Sequence, residues 1–226
     1  MEKTGVYEQQ SDYLKIIAMA AMLLDHIAYY FLPYSASSYL FMRLLGRLAF
    51  PIFAYYIAKG YQRTRNINRY MGRMLVFALI SQLPFYYFMH QVMVLNILFT
   101  FLLALLMLKL YDRKNLLWVL TLLVADVVAM DYGAYGLIVI LIFHVFGDDF
   151  KKTIAMIGTL SLIYATLGAM QTSAWQLRSF IQVASVFAIP LIYMPMKPIR
   201  ISKYWIYAFY PLHLGIIVGI GQFFRM

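Results

Sequence analysis

Apolar segments about as long as a membrane is thick follow one another along nearly the whole chain, and the cations between them are sorted onto alternate sides. Crossing roughly 30 Å of hydrocarbon takes about 20 apolar residues wound as a helix. The helix is required because no water is present there to satisfy backbone N–H and C=O groups. Candidate segments run approximately over 14–33, 44–60, 71–89, 92–110, 115–130, 134–147, 152–169, 178–196 and 204–224. The connections between them are too short to hold a soluble domain. The predicted fold is an all-α polytopic membrane helix bundle of about nine spans, with eight or ten tolerated, forming a single domain over 1–226. The fifth and sixth segments are short and flank Asp126 to Gly133, where a re-entrant or broken pair is the alternative.

Placing the connections alternately inside and outside puts fifteen of the 19 Lys and Arg on one side, among them Lys59, Arg63, Arg65, Arg69 and Arg73. Arg43, Arg47, Arg178 and Arg225 fall on the other. Cytoplasmic loops carry the excess of Lys and Arg, so the N-terminus is expected inside and the C-terminus outside. Apolar residues make up 64% of the chain and charged residues 12%. A soluble domain would be about 45–50% apolar and about 25% charged. The net charge of +10 would suggest nucleic acid in a soluble protein. Its distribution here sets membrane orientation instead, so the expected partner is the lipid bilayer and no nucleic acid. The chain has no cysteine, which excludes disulfides, thiolate metal sites and a cysteine acyl-enzyme. Asp25 and His26 interrupt the first apolar segment and no small-residue cleavage site follows it, so it reads as a retained span.

Ionisable groups inside a span cost at least ~2.5–3.5 kcal/mol each and mark functional sites. Asp25 and His26 lie in LLDHIAYY about 12 residues into the first span, some 18 Å deep at ~1.5 Å per residue. Neighbours on a helix diverge by about 100°, so the two need different partners. Arg43 and Arg47 in MRLLGRLAFP are four apart, hence on one helical face, and break the charge sorting. They are the expected partners of Asp25, since a guanidinium suits bidentate carboxylate or phosphate recognition. Asp25, His26, Arg43 and Arg47 are the candidate catalytic residues, against the plainer reading of a structural ion pair beside a hydrogen-bonded His. A second cluster is Arg63, Arg65, Arg69 and Arg73 in KGYQRTRNINRYMGR, where the i, i+4 spacing of Arg65, Arg69 and Arg73 predicts one helical stripe. It reads as a topology determinant or as a landing site for a polyanionic cosubstrate such as a nucleotide or coenzyme A.

Other candidates follow from single polar residues. Asn96 and Gln82 are amides in apolar runs, either helix-bridging or, for Asn96, an oxyanion donor. Asp131, Tyr132 and Tyr135 occupy the tight outer turn DYGAYG, where they either line the outer mouth as substrate or oxyanion candidates or, for Asp131, are simply solvated. His213 opens the last span after a proline and reads as a structural or interfacial residue or as a substrate or oxyanion candidate. His90 and His144 lie at segment ends with no evident partner. No two His have ligand spacing, so no metal is expected. No nucleophile elbow, Walker loop or dinucleotide fingerprint is present.

These segments resemble the TraX family, integral membrane proteins named from conjugal-transfer pilin acetylation. LKIIAMAAMLLDHIAYYF, LLGRLAFPIFAYYIAKGYQRTRN, FALISQLPF, LNILFTFLLALL, DYGAYGLIVIL and KYWIYAFYPLHL carry the likeness, in that order. The family is akin to the membrane acyltransferase superfamily, in which a first-span His and nearby Arg residues serve catalysis. The resemblance implies transfer of an acetyl group from cytoplasmic acetyl-CoA, in a bacterial plasma (inner) membrane. The acceptor it implies is an exported peptide, a pilin-like chain or a surface glycan. His26 matches the His of the DHI block and Arg47 the Arg of the GRxAFP block, with Arg43 one turn earlier. The chain departs from the family pattern at Lys59, where Glu is favoured, and at PMKPIR, where a Gly-rich basic turn is expected. A proton-coupled transporter using Asp25 and His26 as a relay, and a non-catalytic membrane scaffold, are the alternatives. No repeat symmetry supports the transporter.

Overall fold

A computed structural model describes residues 12–172, 177–196 and 199–224. Lys3, Lys197 and Arg225, counted among the sorted cations, lie outside the described residues, as do the side chains of Arg178 and Lys203. The described chain is helical. The helices are α1 (Tyr13–Phe31), α2 (Ser37–Gly46), α3 (Ala49–Arg63), α4 (Ile67–Phe88), α5 (Ile97–Asp112), α6 (Leu117–Val127), α7 (Gly133–Phe146) and α8 (Phe150–Thr172). A 3-10 helix, Leu177–Phe187, then runs directly into α9 (Ala188–Tyr193), and α10 (Lys203–Phe224) ends the bundle.

Each apolar segment of the sequence has a helical counterpart. The second begins earlier than its hydropathy suggested: α2 and α3 form one apolar helical stretch, Ser37–Arg63, with a turn at Arg47 and Leu48. Among the described residues, four stretches are long and apolar enough to cross a membrane: Tyr13–Phe31, Ser37–Arg63, Phe150–Gln171 and Tyr204–Phe224. By contrast, α6 has 11 residues and α7 has 14. At ~1.5 Å per residue these reach only about 16 and 21 Å, short of the ~30 Å that hydrocarbon requires.

α3, α5 and α7 are the most enclosed elements, with Ile52, Ala54, Leu105, Met107, Leu137, Ile140 and Phe143 fully buried. The small residues Ala54 and Ala58 on α3 and Ala104 on α5 let these backbones approach closely. The outer helices instead present apolar side chains outward in helical stripes. On α4 these are Leu75, Val76, Leu79, Ile80 and Leu83, and on α10 Leu212, Ile216, Ile220 and Phe223. So large an exposed apolar surface is what a lipid-facing bundle requires.

Polar residues set the helix starts. Asn66 caps α4 by accepting the Arg69 N–H at 2.9 Å, and Asn96 caps α5 through the Leu98 N–H at 3.0 Å. Asp126 reaches across the α6–α7 turn to accept the Ala134 N–H at 2.7 Å. That turn is further tied down by a parallel bridge between Leu95 and Met130.

α1 packs against α2 most closely where Gly46, the last residue of α2, lies on Asp25. A Cβ at Gly46 would fall inside contact distance of Asp25 Cβ, Cγ and Oδ1. Gly46→Ala is therefore expected to lower stability by about 1–3 kcal/mol through overpacking, read as an earlier thermal transition in detergent. An unchanged transition would show that α2 can slide away without loss.

Candidate functional site

One cavity of about 580 Å³ lies among α1, α2, α3, α4, α5 and α10. Most of its wall on α3 is a stripe of Phe50, Phe53, Tyr56, Ile57, Gly60 and Arg63, with Ala49 and Lys59 beside it. That spacing of three or four keeps side chains on one helical face. Both Lys15 and His26 on α1 line it, eleven positions and so about 16 Å of helix rise apart. The cavity is therefore elongated, with chemically different ends.

The first end is basic and aromatic. Lys15, Lys59, Arg63 and Arg73 line it together with Tyr56, Tyr70 and Tyr207. Lys15 sits 4.7 Å from the centre of the Tyr56 ring and also pairs with Asp12 at 2.6 Å. Lys59 pairs with Asp148 at 2.7 Å. The Nε of Arg73 is buried without a hydrogen-bond partner.

The second end holds Asp25, His26, Arg43, Arg47, Asp131 and Tyr132. Asp25 Oδ2 accepts from Arg43 Nη1, and Asp25 Oδ1 accepts from Arg47 Nη2 at 2.7 Å. Arg47 also donates to Gln182 Oε1 at 3.1 Å, while its Nε is buried with no partner. Arg43 and Arg47 share the Asp25 carboxylate, and Asp131 is the second acidic side chain at this end of the cavity. A buried donor with no acceptor costs about 1–3 kcal/mol, which the Nη bonds of Arg47 to Asp25 and Gln182 offset. The Asp131–Tyr132 turn is held for the same end. The Asp131 N–H donates to the Leu95 carbonyl at 2.8 Å, and Thr100 Oγ1 donates to the Asp131 carbonyl at 2.6 Å. Tyr132 adopts a left-handed backbone, φ 63°, and its ring stacks on Phe50 with centroids 3.9 Å apart. Non-glycine residues in that region cluster at functional turns.

His26 faces the cavity and turns to a different partner from Asp25. Its Nδ1 lies 2.7 Å from Nε2 of His213, and His213 Nδ1 lies 2.7 Å from the Phe209 carbonyl oxygen. Phe88 closes over the His26 ring at 4.8 Å.

The structure thus brings Asp25, His26, Arg43, Arg47, Asp131 and Tyr132 together on one wall. His213 stands behind His26 rather than on the wall, and Tyr135 stands behind Arg47. The Tyr135 hydroxyl accepts from Gln182 Nε2 at 3.1 Å and shares a hydrogen bond with Ser161 at 2.9 Å. Asn96, expected as an oxyanion donor, is off the wall. Its amide donates to Gln82 Oε1 at 2.7 Å and to the Ala78 carbonyl at 2.9 Å, leaving it a helix-bridging cap. The basic cluster also divides. Arg63 and Arg73 reach the cavity, but Arg65 precedes the Asn66 cap and so is not on α4, and Arg69 is exposed. Lys15 and Lys59 take the places expected of those two. Gln182 and the pairing of the two histidines were not anticipated. Gln182, a lone amide in an apolar run, carries the same signal that singled out Asn96. His90 and His144 also have partners: His90 stacks on Tyr30 with centroids 5.3 Å apart, and His144 meets Asp112 at 2.8 Å.

Residues 10–221 match the model of the family described as TraX protein. The chain belongs to the TraX family. It is also 32% identical to the probable fimbrial assembly protein FimC, serogroup H1, of Dichelobacter nodosus, over 94% of this chain and 96% of that one. No solved structure matches. Every cavity-lining residue, from Lys15 to Tyr210, lies within the TraX region, so the site belongs to the family domain itself.

Proposed function

We propose that this TraX-family protein is an integral membrane acyltransferase of the bacterial inner membrane. It would move an acetyl group from cytoplasmic acetyl-CoA to an amine or hydroxyl of an exported peptide, a pilin-like chain or a surface glycan. The observation that carries this reading is a single cavity joining a basic, aromatic mouth to a histidine beside two arginines. With the N-terminus inside, as the cation sorting implies, the mouth formed by Lys15, Lys59, Arg63 and Arg73 opens to the cytoplasm. The coenzyme's phosphates pair with Arg63 and Arg73 there, and its thioester arm follows the Phe53–Ile57 stripe inward. A relative named for fimbrial assembly favours an exported, pilin-like acceptor.

The acceptor nitrogen or oxygen attacks the thioester carbonyl carbon while His26 takes its proton. Negative charge develops on the carbonyl oxygen, and the guanidinium of Arg47, which lines the same end of the cavity, stabilises it as a cationic donor. Such a donor is worth roughly 3–4 kcal/mol. The C–S bond then breaks and the thiolate leaves, taking the proton from the imidazolium. Asp25 holds the arginines in place and touches neither reactant. Without cysteine in the chain, direct attack is the simplest route.

Membranes containing the protein are expected to transfer label from acetyl-CoA to exported peptides or surface polymers, followed by mass spectrometry of the products. Transfer no greater than in membranes lacking the protein would overturn the reading. Arg73→Ala should raise the KM for acetyl-CoA about tenfold, the loss of one charge-assisted hydrogen bond. Arg69→Ala, one turn away and exposed, should leave it unchanged. Equal effects would return the cluster to a topology role.

A further inference from the structure

The geometry points to His213 as the positioning residue that fixes which nitrogen of His26 carries hydrogen, leaving His26 Nε2 as the proton acceptor facing the cavity. A peptide carbonyl only accepts hydrogen bonds, so the 2.7 Å contact with the Phe209 oxygen places a hydrogen on Nδ1 of His213. The neutral ring then presents a lone pair at Nε2. That lone pair is 2.7 Å from His26 Nδ1, which must therefore be the donor. A neutral imidazole with its hydrogen on Nδ1 has its remaining lone pair on Nε2.

The ring geometry agrees. The two imidazole planes are 6° apart with centroids 5.0 Å apart. Combined with the 2.7 Å nitrogen separation, this sets the rings edge to edge in nearly one plane. An N–H and a lone pair point at each other in that arrangement, and they do not in a face-to-face stack.

His213 is 5% exposed and does not line the large cavity. Its other side backs onto an apolar groove between α1 and α10 formed by residues such as Leu23, Ile27 and Ile217. It therefore acts through His26 and touches no reactant. Its own position is secured by Phe209, which both accepts from Nδ1 and stacks on the ring at 4.6 Å. A second imidazole here takes the part that a carboxylate plays in serine hydrolases, holding the base in one tautomer. A neutral partner suits this site because the groove behind His213 is apolar and would not stabilise a further carboxylate, while Asp25 is already committed to the arginines.

The catalytic half of this inference rests on the acyltransferase reading, whereas the tautomer does not. The test uses the full-length protein in nanodiscs with 15N-labelled histidine, the His26 signals being assigned by their loss in His26→Ala. Wild type is expected to show His26 with hydrogen on Nδ1. His213→Ala should abolish that preference and lower kcat about 100-fold, the scale of a misplaced general base, with the KM for acetyl-CoA changed less than about twofold. His213→Gln, whose Oε1 can accept from His26 Nδ1, should restore the Nδ1 hydrogen and most of kcat. Hydrogen on Nε2 of His26 in wild type overturns the inference whether or not either variant folds. A tautomer and kcat unchanged in His213→Ala overturn it as well. A wild type with the expected tautomer but no acetyl transfer would remove the enzymatic reading and leave the histidine pairing intact.

Discussion

His26→Ala is expected to lower acetyl transfer by at least about 100-fold, the usual contribution of a positioned general base. The protein should remain folded. His26 faces the cavity rather than the packed core, and the Asp25–Arg43–Arg47 cluster that joins α1 to α2 does not involve it. The loss should fall on kcat, because the proposed coenzyme contacts, Arg63 and Arg73, line the opposite end of the cavity. Initial rates with labelled acetyl-CoA, paired with thermal unfolding of the same sample, separate these quantities. A rate near wild type would remove His26 from the chemistry and favour a scaffold.

Asp25→Ala is expected to damage the fold itself. It removes the shared acceptor of two guanidiniums that are largely enclosed, and breaking a buried ion pair from one side costs about 3–5 kcal/mol. Arg47→Ala should be less severe because it leaves Asp25 paired with Arg43. The double variant Asp25→Ala, Arg43→Leu should recover part of the loss, since it removes one stranded charge. Thermal unfolding in detergent measures all three. If Asp25→Ala unfolds within about 1 kcal/mol of wild type, the carboxylate does not hold the arginines.

Much of this was legible in the sequence because the membrane makes buried charge rare. An acid and two arginines in apolar segments had few other partners to choose from, and Arg43 and Arg47 sit four apart on one face. The helical rods were legible for the same reason, as runs of apolar residues. Three features were not. The Arg65–Arg69–Arg73 spacing suggested one helical stripe, but Asn66 starts the helix after Arg65, and a cap depends on backbone geometry that spacing does not encode. His213 lies 187 positions from His26, and nothing local in FYPLHLG indicates that α10 returns beside α1. Asn96 looked like an available amide only because Gln82 and the Ala78 carbonyl, its partners across α4, are matched to it by tertiary packing.

The tightly wound segment ahead of α9 has a consequence for reach. Its 11 residues rise about 2.0 Å each, some 22 Å, where α-winding would give about 16 Å. With roughly 9 Å more from the six residues of α9, seventeen residues extend over approximately 31 Å. The winding thus gives this short stretch more reach per residue than the α-helices beside it. Relaxing the winding would shorten the rod by about one helical turn and carry Gln182 away from the guanidinium it steadies.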